Sequence, residues 1–415
     1  MIFLYRIVRT EKNTDLQKNE VIKIMVNTLM RLKICLKKDV VLTIAILLAL
    51  LSSLFVHPDK QYINYIDYRT LILLFCLMSV MAGLRKIKLF DRVAATLVSR
   101  CTNEGQLIIL LVVVVFFTSM IITNDVALLT FVPFTISVLN ILHPNVKNRW
   151  MITLIVMETI AANLGSMLTP VGNPQNLYLY NVSGMSMGGF LLIMLPYSVL
   201  SLVMLIIWII IRCNSKSTNI DRNIKLGDIR NTNSEIAYNS RDKRIIGMYS
   251  FLFILCLMTV VKIIPFYITF VILLVCILIF DRDTLKNVDY SLIFTFTGFF
   301  IFIGNIGRIP LFKDFLQGFI SGKEMITAVL CSQIMSNVPA ALLLTGFTDN
   351  IRMLIIGTNL GGLGTLIASM ASLISFKFIQ REDKNVNGTY IATFTVANVV
   401  FLICLLVLYQ IIKLL

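Results

Sequence analysis

The chain has 415 residues, 57% of them hydrophobic and 14% charged, with 37 Lys and Arg against 22 Asp and Glu and a formal net charge of +15. A soluble domain carries roughly 45–50% apolar and about 25% charged residues, so this composition excludes an ordinary water-soluble fold. The basic residues cluster in segments 1–38, 85–104 and 212–244, with smaller groups in 143–149, 281–290 and 377–388. A single topology with all six segments cytoplasmic satisfies the positive-inside rule. The charge therefore reads as orientation in the lipid bilayer of the cytoplasmic membrane, N-terminus inside, and not as a nucleic-acid surface.

In chain order, Met1–Lys38 is a basic segment without a cleavage-type motif. Its apolar positions Ile22, Met25, Val26 and Leu29 suit the inner leaflet. The first half, 39–211, reads as plain helices near 39–56, 66–84 and 188–211, a region 105–142 broken at Thr123-Asn124-Asp125, and an interrupted crossing at 150–181. A cytoplasmic linker, 212–244, separates it from the second half, 245–415. That half has plain helices near 245–261, 263–280, 291–309 and 389–412, two short limbs at 324–348 around Ser336-Asn337-Val338-Pro339, and an interrupted crossing at 352–376. A crossing helix needs about 20 apolar residues, and the limbs of 105–142 and 324–348 read as too short or too polar-ended for that. Both regions are expected to be re-entrant hairpins. The eight cysteines are scattered without a CxxC, and His57 and His143 sit alone at span ends. With no HExxH and no Walker-type segment, neither an enzyme, a Cys/His metal framework, a cofactor nor an ATP motor is expected.

The two interruptions resemble each other. Thr123–Thr135 aligns with Ser336–Thr348 with five of thirteen positions identical. Upstream, Lys86-Ile87-Lys88-Leu89-Phe90 matches Arg308-Ile309-Pro310-Leu311-Phe312. Downstream, Asn163-Leu164-Gly165 and Thr169 recur as Asn359-Leu360-Gly361 and Thr365. The spacing differs, 39 residues from Asn124 to Asn163 and 22 from Asn337 to Asn359. The Leu142–Arg149 connection and a longer second limb would absorb the difference. An odd number of crossings between the repeats makes them inverted, the architecture of secondary transporters.

Non-helical backbone at membrane depth is tolerated where it lines a cavity or is covered by protein. The Asn163–Asn176 stretch, with two prolines and two glycines, and Gly357–Thr365, with four glycines, fit that description. A broken helix offers N–H groups to anions at one end and carbonyls to cations at the other. Asp125 and Glu158 are carboxylates inside the membrane, where an unpaired charge costs several kcal/mol. Either could exchange a proton, sit against a cation, or hold a neutral hydrogen bond.

At these residues the sequence resembles the divalent anion–sodium symporter family and the wider ion transporter superfamily, which also holds citrate transporters, arsenite permeases and sodium–proton antiporters. The resemblance runs from about residue 40 to the end. It implies a substrate site between Asn124, Asp125, Ser166, Asn337, Val338 and Ser369. It implies Na⁺ sites at Thr123, Asn124 and Gly165 and at Ser336, Asn337 and Ala368, in an elevator-type homodimer. Asp125 and Val338 stand where those symporters carry threonine, so H⁺ competes with Na⁺ as coupling ion. The expected function is cation-coupled transport of a small anion, carboxylate or inorganic oxyanion. A sodium–proton antiporter or an arsenite-type oxyanion efflux permease is the alternative.

Overall fold

The computed structural model describes residues 40–98, 101, 103–142, 144–214 and 240–414. Met1–Lys38, His143 and the linker between Asn214 and Ser240 lie outside them. Among the described residues every regular element is helical, and seven helices are long and apolar enough to cross a membrane. Apolar side chains such as Leu54, Leu192 and Ile334 are more than two-thirds exposed. Water disfavours such a belt, and a hydrocarbon solvent suits it.

One group of helices is tied by polar contacts at its ends. It comprises α1 (Val40–Phe55), the single turn α2 (Tyr62–Tyr65) and α3 (Tyr68–Lys86), with α10 (Ser240–Val260), α11 (Phe266–Phe280) and α12 (Tyr290–Gly307). Helices α3 and α12 start alike, each capped by an aspartate: Asp67 accepts from the Thr70 N–H and Asp289 from the Leu292 N–H. Helix α12 packs along α1, where the Asn305 amide donates to Ser52 and Tyr62 and Arg308 pairs with Asp59 at 2.8 Å. At the other end Lys86 pairs with Asp281 at 2.6 Å, and Tyr249 and Thr284 donate to the same carboxylate.

The rest of the chain holds the interruptions. Helices α5 (Glu104–Ile122) and α6 (Asn124–Ile141) meet at Thr123, and α7 (Pro144–Ser166) and α8 (Pro174–Ser183) flank the first break. Helices α14 (Glu324–Met335) and α15 (Asn337–Thr345) meet at Ser336, and α16 (Ile351–Leu360) and α17 (Met370–Glu382) flank the second. Helices α9 (Met187–Asn214) and α18 (Asn387–Leu414) pack beside α7, and α4 (Leu89–Val98) and α13 (Pro310–Ile320) are short connectors. Most of α7 is buried, and Glu104 fixes α5 to its start by accepting from the Trp150 indole N–H.

Two expectations need correction. The limbs α5 and α6 are 19 and 18 residues long and apolar enough to cross, so length does not mark the first pair as a hairpin. The second pair, at 12 and 9 residues, is shorter. The difference in spacing does fall in the longer second limb, but Pro144–Arg149 is not a connection. It already forms the first turns of α7, with proline suited to a helix start.

Candidate functional site

The chain reverses at Thr123 and at Ser336 within a single residue. Both take an unusual backbone, φ 70° and ψ 150° at Thr123 and φ 76° and ψ 155° at Ser336. That region is nearly reserved for glycine and costs about 1–3 kcal/mol for other residues. Each reversal presents an asparagine as the first residue of the next helix. The Asn124 N–H donates to the Gly172 carbonyl at 3.1 Å, and the Asn337 N–H donates to the Ala368 carbonyl at 3.0 Å.

The same bonds recur around the two breaks. Thr169 Oγ1 donates to the Met120 carbonyl, and Thr365 Oγ1 to that of Gln333. Gly165 packs against Phe116 and Ser119, and Gly361 against Ser332. The breaks also cross over to each other. Ser369 Oγ donates to Asn163 Oδ1 at 2.9 Å, while Asn173 Nδ2 approaches Asn359 Oδ1 at 3.5 Å. Ser369 and Asn173 hold corresponding places, as do Asn163 and Asn359. Asn163 Oδ1 also accepts from Asn124 Nδ2 at 3.1 Å, and Asn359 Nδ2 donates to Asn176 Oδ1 at 2.7 Å.

Four helix N-termini therefore gather here, those of α6, α8, α15 and α17. Their caps are Thr123, Asn173, Ser336 and Ser369, residue types that ordinarily bond their own first turn. None of the four makes that bond. Ser369, Asn173 and Ser336 bond instead to Asn163, Asn359 and Ala368, and the positive ends of four helix dipoles face one region, an arrangement suited to anions. A cavity of about 300 Å³ opens onto the first tip. Thr123, Asp125, Asn173 and Arg85 line it, and α3 supplies its apolar wall through Leu77 and Met81. Asp125 Oδ1 is buried without a hydrogen-bond partner.

Of the residues expected at the site, Asn124, Asn337, Ser336, Ala368 and Ser369 come together through these bonds, and Thr123 and Asp125 face the cavity. Ser166 is buried at the end of α7, its hydroxyl donating to the Asn163 carbonyl. Val338 is buried in the first turn of α15 and does not line the cavity. Gly165 lies at the end of α7 against α5. A Cβ there would lie 2.1 Å from the Phe116 carbonyl, so the glycine allows close packing of α7 on α5. Gly172 holds the place that corresponds to Ala368. Glu158 lies away from the tips, accepting from Thr135 at 2.5 Å. The sequence pattern passed over Asn163, Gly172, Asn173 and Asn359, although Asn163 and Asn359 sit in the repeated Asn-Leu-Gly block.

The family model described as Citrate transporter matches residues 26–352. An uncharacterized transporter of Methanocaldococcus jannaschii is 30% identical over 336 residues, 81% of this chain and 87% of that protein. The inner membrane protein YbiR of Escherichia coli is 28% identical over 348 residues, 82% of this chain and 88% of that one. The putative transporter arsB of Dictyostelium discoideum is 23% identical over 164 residues, 40% of this chain and 28% of that protein.

Proposed function

The chain belongs to the citrate transporter family, and on that premise we propose that it is a cation-coupled secondary transporter of a small anion, a carboxylate or an inorganic oxyanion. The observation that carries this reading is the gathering of four uncapped helix N-termini at the two tips. An anion held there gains the favourable ends of the helix dipoles and the first-turn N–H groups not already bonded to Gly172 and Ala368, with Arg85 on the cavity wall. Carbonyls of the same breaks, with Thr123 and Ser336, offer oxygen donors to Na⁺. Asp125 offers a carboxylate to H⁺.

In the proposed cycle the two halves are inverted repeats, and α5–α6 and α14–α15 are re-entrant hairpins. The helices bearing the breaks move as one body past α1–α3 and α10–α12, on the short connectors α4 and α13. The protein works as a homodimer in the cytoplasmic membrane, with its N-terminus inside. A second reading is supported by Asp125. An acidic tip beside the cavity suits a sodium–proton antiporter or an arsenite-type oxyanion efflux permease as well as a symporter.

The test is uptake of citrate, phosphate and arsenite into proteoliposomes under a Na⁺ or a pH gradient, with melting curves for each anion. A symporter is expected to be stabilised by its anion only with Na⁺ or at low pH. Na⁺ alone shifting the melting curve in a pH-dependent way, with every anion inert, would establish the antiporter. Asn124→Ala and Asn337→Ala are each expected to lower transport about 100-fold or more, the usual cost of misplacing a bound group. Normal uptake by either folded variant would sink the assignment of the tips.

A further inference from the structure

The anion site continues into the protein as a line of buried polar groups. Ser369, Ser372 and Ser375 lie at intervals of three on α17, roughly one helical turn each, and all are buried. Thr159 and Asn163 lie four apart on one face of α7. The two stripes touch at both ends: Ser369 donates to Asn163, and Thr159 Oγ1 donates to Ser375 Oγ at 2.7 Å. Next to Thr159 stands Glu158, fully buried, with Oε1 accepting from Thr135 of α6. The Tyr390 hydroxyl of α18 adjoins Thr159 and Ser375.

Four atoms on or beside this line, Asn163 Nδ2, Ser372 Oγ, Glu158 Oε2 and the Tyr390 hydroxyl, are buried without a hydrogen-bond partner. Each such atom costs about 1–3 kcal/mol if left unpaired, and native proteins satisfy them with ordered water. A shared chain of waters between Asn163 and Glu158 would satisfy all four. The second half has no counterpart. Leu354, Ile355 and Leu179 occupy the places of Glu158, Thr159 and Ser375, and all three are buried.

Among the described residues no cation pairs with Glu158. Tyr390 faces it from α18. On the other helices packed against α7, Glu104 of α5 pairs with Arg149, Asp125 lies at the opposite end of α6, and Lys377 of α17 is exposed. Tyr197 of α9 lies near Arg352 of α16. An ionised Glu158 would hold an uncompensated charge costing several kcal/mol, so the carboxyl carries its proton in this arrangement.

We propose that Glu158 is a proton-binding site of the transport cycle, separate from the tip carboxylate, and that the hydrated stripe Ser369–Ser372–Ser375 with Asn163 and Thr159 carries the proton between it and the anion site. The inference rests on the transport reading, which makes a proton bound here a coupled ion. The carboxyl gives the proton on Oε2 to the adjoining water. That water passes one of its own protons along the chain, and the carboxylate left behind is held by Thr135.

Infrared difference spectra of the purified protein after pH jumps test this without any substrate, so failure here is distinct from failure of the transport assay. A protonated-carboxyl band is expected that titrates, is absent in Glu158→Gln and persists in Asp125→Asn. Ser372→Ala should keep the band while slowing its exchange in D₂O about tenfold, the rate equivalent of one lost hydrogen bond. A band unchanged by pH, or one whose amplitude in Glu158→Gln equals that of the unaltered protein, would overturn the proton site. Unchanged exchange in Ser372→Ala would overturn the route.

Discussion

The two breaks share a backbone and differ in the ionisable groups they hold. Thr123 and Ser336 reverse the chain at nearly the same dihedral angles, and Asn124 and Asn337 are anchored by equivalent bonds to Gly172 and Ala368. Where the first half has Asp125 and Glu158, the second has Val338 and Leu354. Backbone donors for an anion can be duplicated cheaply, because they come with helix ends. A buried carboxylate costs several kcal/mol wherever it is placed, and at these corresponding positions only the first half carries that cost. Under the proposed reading, anion recognition draws on both halves, and the carboxylates offered to a proton sit in one.

The strongest way to break that division is Asp125→Asn. If this carboxyl titrates during transport, the variant should lose about tenfold of pH response in proteoliposome uptake, the free-energy equivalent of one pH unit. A pH profile like that of the unaltered protein would move the coupling to Glu158. A moderate effect is expected from packing. In Gly165→Ala the new Cβ meets a backbone carbonyl at 2.1 Å, whereas in Gly361→Ala it first meets the Ser332 hydroxyl at 2.7 Å. Overpacking of this kind costs about 1–3 kcal/mol, with Gly165→Ala at the upper end and Gly361→Ala at the lower. Melting temperatures in detergent check the order, and equal losses would show that the α5–α7 contact is no tighter than the α14–α16 one.

The smallest effect concerns the helices that carry no break. Burial pushes the Asp281 carboxyl up, but hydrogen bonds from Lys86, Thr284 and Tyr249 outweigh it and hold the group below the usual carboxylate range. A depressed folded-state value gives stability that is present above the unfolded value and lost as pH falls through the folded one. Asp281→Asn should therefore lower the melting temperature by about 1–2 °C at neutral pH, and the difference should vanish in acid. A difference that persists in strong acid would rule out the charge as its source.

Much of this was legible in the sequence because membrane depth leaves few options. Long apolar runs had to be helices, and the plain spans fall within a few residues of the expected ones. The repeated Asn-Leu-Gly and Asn-x-x-Ala blocks located both breaks. What identity could not show was which carbonyl meets which tip. Gly165 and Gly361 are identical and both allow close packing. Gly172 and Ala368 share no identity, and only the hydrogen bonds from Asn124 and Asn337 reveal them as equivalents. The turn Tyr62–Tyr65 is likewise held by tertiary contacts, Tyr62 to Asn305 and Tyr65 to Arg308, and its four residues carry no local helix signal.

The backbone at Thr123 and Ser336 has a practical consequence for anyone improving this protein for purification. Both dihedral pairs favour glycine, so Thr123→Gly and Ser336→Gly relieve strain and lengthen survival in detergent. The same exchanges delete the two hydroxyls at the tips. If the tips bind as proposed, a screen that rewards heat resistance alone would enrich for inert protein, and thermostabilised variants of this chain need selection by uptake as well.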